Sequence, residues 1–202
     1  LTGLALKVGP LGENDRLLTI LSDKEGVTRL AIPGARRPKS SLAAAAPLTF
    51  LELHIVGKRG LKKVRQMKVL RSYSQLGQRI ETLSAAQALS ELILMLVASE
   101  DPQPNILSTV LIHFERLESI KSGSKEDVVI LAHCIQSCIH ILALGGYCIP
   151  LQICARSGIK LEPPLGQWEW RCSLLPEEGF VIGSIPDAEI QLNPSELALL
   201  QR

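Results

Sequence analysis

The sequence predicts an α+β chain: a small closed β-barrel, then a helical bundle, then a small irregular lobe. Three observations carry this. Over the first seventy residues apolar and polar side chains alternate in short runs broken by turn residues. From about Gln78 the apolar period lengthens from two to 3.6, and from Pro150 onward six prolines punctuate the chain. At 202 residues there is enough chain for two modest cores.

Leu4, Leu6 and Val8 alternate ahead of Gly9-Pro10. The run from Arg16 to Leu21 ends at Ser22-Asp23-Lys24-Glu25-Gly26, and Val27 to Ile32 stops at Pro33-Gly34. After a polar loop, Leu51, Leu53 and Ile55 alternate with Glu52 and His54. Gly57-Lys58-Arg59-Gly60 then turns the chain into Leu61 to Leu70, which puts Val64 and Lys68 on one face of the pleat and Arg65, Met67 and Val69 on the other. Five short strands within residues 1–75 imply a five-stranded OB-fold barrel, and an SH3-like barrel would give a similar pattern.

Residues 76–150 read as the bundle. Leu83, Ala86, Leu89, Ile93 and Leu96 stack on one helical face, and Ile106, Val110, Phe114 and Leu117 on a second. Val128, Leu131, Ile135, Cys138, Ile139 and Leu142 line a third helix. Ser124 can cap its start, Asp127 suits the positive helix end, and Gly145-Gly146 stops it. Its apolar residues wrap beyond one stripe, so it is expected at the centre of the bundle. Residues 151–190 form the irregular lobe, with strands expected around Trp168 to Ser173 and Phe180 to Ile182. Asn193-Pro194-Ser195-Glu196 opens a last helix over 191–202, expected to return to the bundle.

With 46% hydrophobic and 21% charged residues, the composition excludes a disordered or fibrous chain. The longest apolar stretch, Val128 to Leu144, carries His133, Gln136, Ser137 and His140, which a membrane span would have to bury, so none is expected. No secretory pattern opens the chain at Leu1, which makes the cytoplasm, with the nucleoid, the expected compartment. Five cysteines, an odd number absent from the first 133 residues, read as reduced thiols.

The net charge of +2 conceals an asymmetry. Residues 1–75 sum to +9 and residues 76–202 to −7. A basic barrel joined to an acidic bundle points to a polyanion as partner of the first part, with nucleic acid foremost. The cations come in two pieces, Arg36-Arg37-Pro38-Lys39 and Lys58-Arg59-Gly60-Leu61-Lys62-Lys63-Val64-Arg65, which a barrel could join into one patch. Phe50 and Tyr73 are the only rings before residue 75, so phosphate contact is expected to outweigh base stacking. Cys154-Ala155-Arg156-Ser157 and Cys172-Ser173-Leu174-Leu175 look like halves of a zinc ribbon that each keep one cysteine. Four tetrahedral ligands are not supplied, and no cofactor is expected. Cys134 and Cys138, four apart, and His133 and His140, seven apart, could serve as ligands or catalytic groups of a metal- or thiol-dependent enzyme. Small core thiols and satisfied histidines are the plainer reading. No Gly-rich phosphate loop, Gly-x-Ser-x-Gly elbow or His-Glu-x-x-His motif is present, and Glu13 and Asp15 sit in a turn, so no enzyme is expected.

With these elements in place, the sequence resembles the bacterial recombination mediator family RecO. The resemblance is carried by Leu6-Lys7, Pro10-Leu11-Gly12-Glu13, Asp15-Arg16-Leu17-Leu18, Gly26 and Pro33-Gly34-Ala35-Arg36-Arg37-Pro38-Lys39-Ser40. It continues through Lys58-Arg59-Gly60-Leu61, the Tyr73 that closes the barrel, Glu91-Leu92, and Leu142-Ala143-Leu144-Gly145-Gly146 before Cys154. It implies an OB-fold, a helical bundle and a lobe that in the family often binds zinc through two Cys-x-x-Cys pairs. Here Ser157 and Leu175 replace two of those cysteines, leaving Cys154 and Cys172 as a degenerate remnant. It also implies a non-catalytic DNA repair factor that binds single- and double-stranded DNA and anneals complementary strands. The implied partners are RecR and single-stranded-DNA-binding protein, with help to RecA on gapped DNA. The candidate DNA-binding set is Lys7, Arg16, Arg36, Arg37, Lys39, Lys58, Arg59, Lys62, Lys63 and Arg65. An OB-fold RNA-binding adaptor is the alternative.

Overall fold

Alternation in the first seventy residues becomes five strands: β1 (Thr2–Leu11), β2 (Asp15–Ser22), β3 (Gly26–Ile32), β4 (Thr49–Val56) and β5 (Lys62–Ser72). In this computed structural model they close into a barrel in the order β1-β2-β3-β5-β4, the arrangement of an OB-fold. All neighbours are antiparallel except β3 and β5. The structure describes every residue except 39, 58, 59, 100, 122, 124, 148, 149 and 202, and the chain divides into two compact units, Leu1–Tyr147 and Cys148–Arg202.

Ala5, Leu18, Ile20, Leu30, Ile32, Leu51, Leu53 and Val64 fill the barrel, and Ala35 and Ala45 from the loop after β3 join the same core. Gly3 lies where β1 meets β4 at Leu51. A Cβ there would stand 2.6 Å from Ile20 Cγ1, so the close approach needs glycine. β1 runs on through Gly9-Pro10, where the sequence suggests a stop. Beyond Ala5 that strand pairs only with β2, so the missing amide of Pro10 breaks no second ladder. The expected face division of β5 also fails. The register slips between His54 and Ile55, Arg65 becomes the extra residue of a bulge, and Met67 therefore packs on the barrel core with Val64.

On the outer side of the barrel, Leu4, Leu21 and Val27 pair across β1, β2 and β3 and enter a second core. There they meet Tyr73, Leu76 and three helices, α1 (Ile80–Leu96), α2 (Pro104–Ser119) and α3 (Glu126–Leu144). A 3-10 turn, Ser74–Gln78, makes the junction, and Tyr73 packs edge-on to Phe114 with centroids 5.4 Å apart. Ile106, Val110, Phe114 and Leu117 are all buried, as their spacing predicts.

The third helix is not the central one. α3 packs on both α1 and α2, yet it leaves Val128 67% and Leu131 61% exposed and buries only Ile130, Ser137 and Ile141, whereas α1 lies against α2, α3 and β1 and buries six of its residues. An apolar circumference shows that a face seeks cover, not that this part of the chain provides it. α3 is long and apolar enough to cross a bilayer by length and composition, but it carries polar residues and packs as a bundle member. Lys125 occupies its N-cap position, and the expected cap Ser124 lies outside the described residues.

In the second unit, β6 (Cys172–Leu175), β7 (Gly179–Ile182) and β8 (Ile190–Leu192) form a sheet in the order β7-β6-β8. Cys154, Leu161, Cys172, Phe180, Val181 and Leu197 make its core. β6 starts later than the Trp168 run suggests, and β8 carries no alternation to announce it. α4 (Pro194–Leu200) begins with a full capping box, Asn193 accepting from the Ser195 and Glu196 amides while Glu196 accepts from the Asn193 amide.

Candidate nucleic-acid interface

Cross-strand partners share a face of a sheet, so the register shows which cations stand together. Lys7 pairs with Thr19, and Thr19 with Arg29. Two residues further along, Gly9 pairs with Leu17, Leu17 with Ala31, and Ala31 with Lys63. These rows continue the outer face whose other end, Leu4–Leu21–Val27, lies under the helices. The face thus passes from apolar and covered to basic and open. Lys7, Arg29 and Lys63 are exposed, while Thr19 and Ala31 between them are buried. With neighbouring strands ~4.8 Å apart, Lys7 and Arg29 have backbones roughly 10 Å apart across β2.

At the open end, the loop after β3 is fastened to the β1–β2 hairpin. Asp15 Oδ1 accepts the Gly34 amide at 2.8 Å, Asn14 O accepts the Arg36 amide at 2.9 Å, and Gly12 O accepts from the Arg36 guanidinium at 3.1 Å. These contacts explain Asp15 as a residue that fastens the turn, and they fix exposed Arg36, with Arg37 next to it, at the β1–β2 hairpin end of the barrel. Lys7, Arg29, Arg36, Arg37 and Lys63 form no ion pair among the described residues.

The other members of the candidate set go elsewhere. Arg16 reaches into the barrel end and donates to Ala45 O at 3.2 Å. Lys62 is in register with the inward-facing Leu30, and its ammonium lies 2.7 Å from Glu25 Oε1. Arg65 is on the bulge, beside a groove over β4 and β5 that does not include the first face. Lys39, Lys58 and Arg59 lie outside the described residues. Arg29 is the member that sequence reasoning missed. It stands alone between Thr28 and Leu30, and only the register, counted outward from the turn at Asp23–Glu25, sets it beside Lys7.

Where the basic region meets the helices, carboxylates answer it. Arg71 bonds Glu115 at 2.6 Å and Glu118 at 3.3 Å, and Arg79 bonds Glu126 at 2.6 Å. Carboxylates of α2 and α3 thus pair with Arg71 and Arg79, while the outer-face cations Lys7, Arg29 and Lys63 have no ion pair among the described residues.

The groups named for the alternative chemistries lie on α2 and α3. His133 and His140 on α3 flank His113 of α2, each ring centroid 5.4 Å from it, with His113 Nε2 3.3 Å from His140 Nδ1. Burial, then His133, His140 and Arg116, depress the His113 pKa to about 4, which keeps the ring neutral. Burial and the neighbouring Cys134 push the Cys138 thiol up to about 11, a poor nucleophile. Among the described residues no three His, Cys, Asp or Glu side chains are placed to hold a metal ion.

Two family comparisons decide the lineage. Residues 1–73 match the family described as Recombination protein O N terminal, and residues 77–202 the one described as Recombination protein O C terminal. The chain belongs to the RecO family. A RecO relative from Prochlorococcus marinus (strain MIT 9303), named DNA repair protein RecO, is 66% identical over 203 residues, covering 100% of this chain and 76% of its own length. One from Synechococcus sp. (strain WH7803) is 64% identical over 100% of this chain and 75% of its own length. A more distant one from Cyanothece sp. (strain PCC 7425 / ATCC 29141) is 34% identical over 97% of this chain and 65% of its own length. In the lobe, Ser157 and Leu175 stand three residues after Cys154 and Cys172, and the Cys154 sulfur accepts the Ile182 amide at 3.5 Å.

Proposed function

We propose that this protein is a non-catalytic DNA repair and recombination mediator whose barrel holds DNA by its phosphates on the outer face of β1, β2 and β3. In this reading it binds single- and double-stranded DNA and anneals complementary strands. It also helps load RecA onto gapped DNA covered by single-stranded-DNA-binding protein, acting with RecR in the cytoplasm at the nucleoid. The observation that carries the reading is the Lys7–Thr19–Arg29 row with Lys63 beside it, cations that no carboxylate answers among the described residues.

Among the described residues no Phe, Tyr or Trp ring lies on that face. Tyr73 is buried against Phe114, and Phe50 packs on the helix-side core. Binding therefore falls to phosphate contacts, which fix a strand without reading it. Five cations engaging five phosphates give a log–log salt slope of roughly −3.5 on single strands. Bases left free can pair with a second strand, and cations between two backbones lower their mutual repulsion. Annealing then needs no nucleotide hydrolysis. The acidic bundle is left for protein partners.

A second reading, an RNA-binding adaptor, is favoured by the same feature, since a face of cations and small side chains offers nothing that selects deoxyribose. Strand annealing on DNA coated with single-stranded-DNA-binding protein, with RNA as competitor, separates the two. The mediator reading expects annealing that Lys7→Ala/Arg29→Ala/Lys63→Ala abolishes. Absence of annealing by the unaltered protein, with tighter binding to RNA, would replace it with the adaptor.

A further inference from the structure

Past Ala5, the edge of β1 that faces away from β2 has no strand beside it among the described residues. The cause is local. Leu48 donates to Ala5 O at 2.8 Å and accepts from the Tyr73 amide at 3.0 Å with its backbone in the left-handed region, φ 58, which ends the β1–β4 ladder. Pro47 before it has no amide with which to extend that ladder. Alongside the open edge runs a groove of about 550 Å³ between β1 and α1. Its apolar lining, Leu6, Leu48, Tyr73, Leu83 and Leu94, belongs to the helix-side core or packs on it. Leu83, Gln87, Ser90, Glu91 and Leu94 recur at helical spacing, so they form one stripe of α1 along the groove. Ser90 already donates to Ala86 O at 2.8 Å, whereas Glu91 is exposed and forms no ion pair among the described residues. Three consecutive residues of β1, Leu6, Lys7 and Val8, line the groove, as an approach from the strand's edge requires and an approach to one face does not.

We propose that a short extended segment of a partner protein docks in this groove by adding to the open edge of β1, with an apolar side chain set against Leu48, Leu83 and Leu94 and a Lys or Arg set against Glu91. Unpaired backbone groups supply the affinity of such strand addition, and the side chains along the groove supply its selectivity. The β-bulge between Ala5 and Lys7 and the missing amide of Pro10 confine the open stretch to Lys7, Val8 and Gly9. Both are devices that guard an edge against a second sheet, so the occupant is a short segment and not another copy of the barrel. The Glu91 carboxylate attracts a basic side chain and opposes phosphate, which sets the groove apart from the outer basic face. In an extended segment, alternate side chains point the same way, so the apolar and the basic residue stand two positions apart. The site stands whether or not the outer face holds nucleic acid.

The probe is a library of random heptapeptides displayed on phage and selected on the immobilised full chain, the enriched sequence then being made as a synthetic peptide and titrated by fluorescence anisotropy. The expected sequences pair an apolar residue with Lys or Arg two positions away. Glu91→Gln should weaken the peptide about threefold, as loss of an exposed ion pair does. Methylating alternate backbone nitrogens of the peptide leaves every side chain in place and should weaken it about tenfold or more. Gly77 lines the groove with nothing within 4 Å of an added Cβ, so Gly77→Leu keeps the fold and should obstruct the peptide. Bound peptide should also slow hydrogen exchange in β1 between Leu6 and Gly9. No enrichment, acidic sequences indifferent to Glu91→Gln, unchanged exchange in β1, or displacement of the peptide by single-stranded DNA would each overturn the proposal.

Discussion

Lys62 Nζ stands 2.7 Å from Glu25 Oε1, an ion pair that ties the start of β5 to the β2–β3 turn, while the next residue, Lys63, is unpaired and in register with Ala31 on the outer face. Adjacent lysines thus do different work. Lys63→Ala is expected to reduce the single-strand salt slope by roughly 0.7, one phosphate contact. Lys62→Ala should leave that slope unchanged and lower stability by about 0–1 kcal/mol, as a partly exposed pair does. Fluorescence anisotropy over a salt series and urea unfolding of each variant check this; equal slope changes would show that the pair opens to nucleic acid.

Gly26 begins β3 at φ +60, and a Cβ there would press on the carbonyl oxygens of Ala98 and Asp101. Both backbone strain and crowding oppose a side chain, so Gly26→Ala should destabilise the protein by about 2 kcal/mol or more. A denaturation midpoint equal to that of the unaltered protein would show that the 98–101 segment yields freely.

The neutral, buried His113 makes acid a destabilising condition. Its folded pKa of about 4 lies below the ordinary value of 6.5, so the unfolded chain binds the proton first. The stability it contributes is complete above pH 6.5 and is lost as the pH falls toward 4. Replacing the ring by an amide, His113→Gln, should flatten the unfolding free energy between pH 6.5 and 4. An unaltered pH profile in that variant would assign the acid loss to other groups.

Cys154 acts in the same direction in another window. Burial opposes its ionisation, but the Ser157 hydroxyl and the amides of Ile182, Ser157 and Arg156 together outweigh burial and bring the thiol to about 7. Its folded pKa is depressed below 9, so its contribution is full above pH 9 and is lost as the pH falls through 7. Burial holds Cys172 at about 11, so that thiol changes nothing below pH 9. The stability difference between the unaltered protein and Cys154→Ala should therefore widen from pH 6.5 to 9 in urea titrations; a constant difference would contradict the hydrogen-bonded thiolate.

The legible parts of the molecule are those fixed by local chemistry. Turn glycines and prolines mark the strand ends near Ser22–Gly26 and Pro33-Gly34, and the Asn193–Glu196 capping box is readable letter by letter. Long-range packing is less so. The bulge at Arg65 follows from how β5 leaves β3 to follow β4, which no run of residues announces, and it reverses the expected faces of Met67 and Lys68. The exposed flank of α3 escapes the sequence because an apolar circumference looks the same covered or bare. In the candidate interface, Arg36 and Arg37 are visible as a cluster. The pairing of Lys62 with Glu25, the hydrogen bond of Arg16 to Ala45 O at the barrel end and the convergence of Arg29 with Lys7 depend on register.

The central claim is that free cations on the outer face of β1, β2 and β3 grip phosphates. Its most direct test is the salt dependence of single-strand binding for Lys7→Ala/Arg29→Ala/Lys63→Ala. The log–log slope should fall by about 2, the value for three lost phosphate contacts, equally on strands of different sequence. A slope matching that of the unaltered protein would show that nucleic acid is held elsewhere.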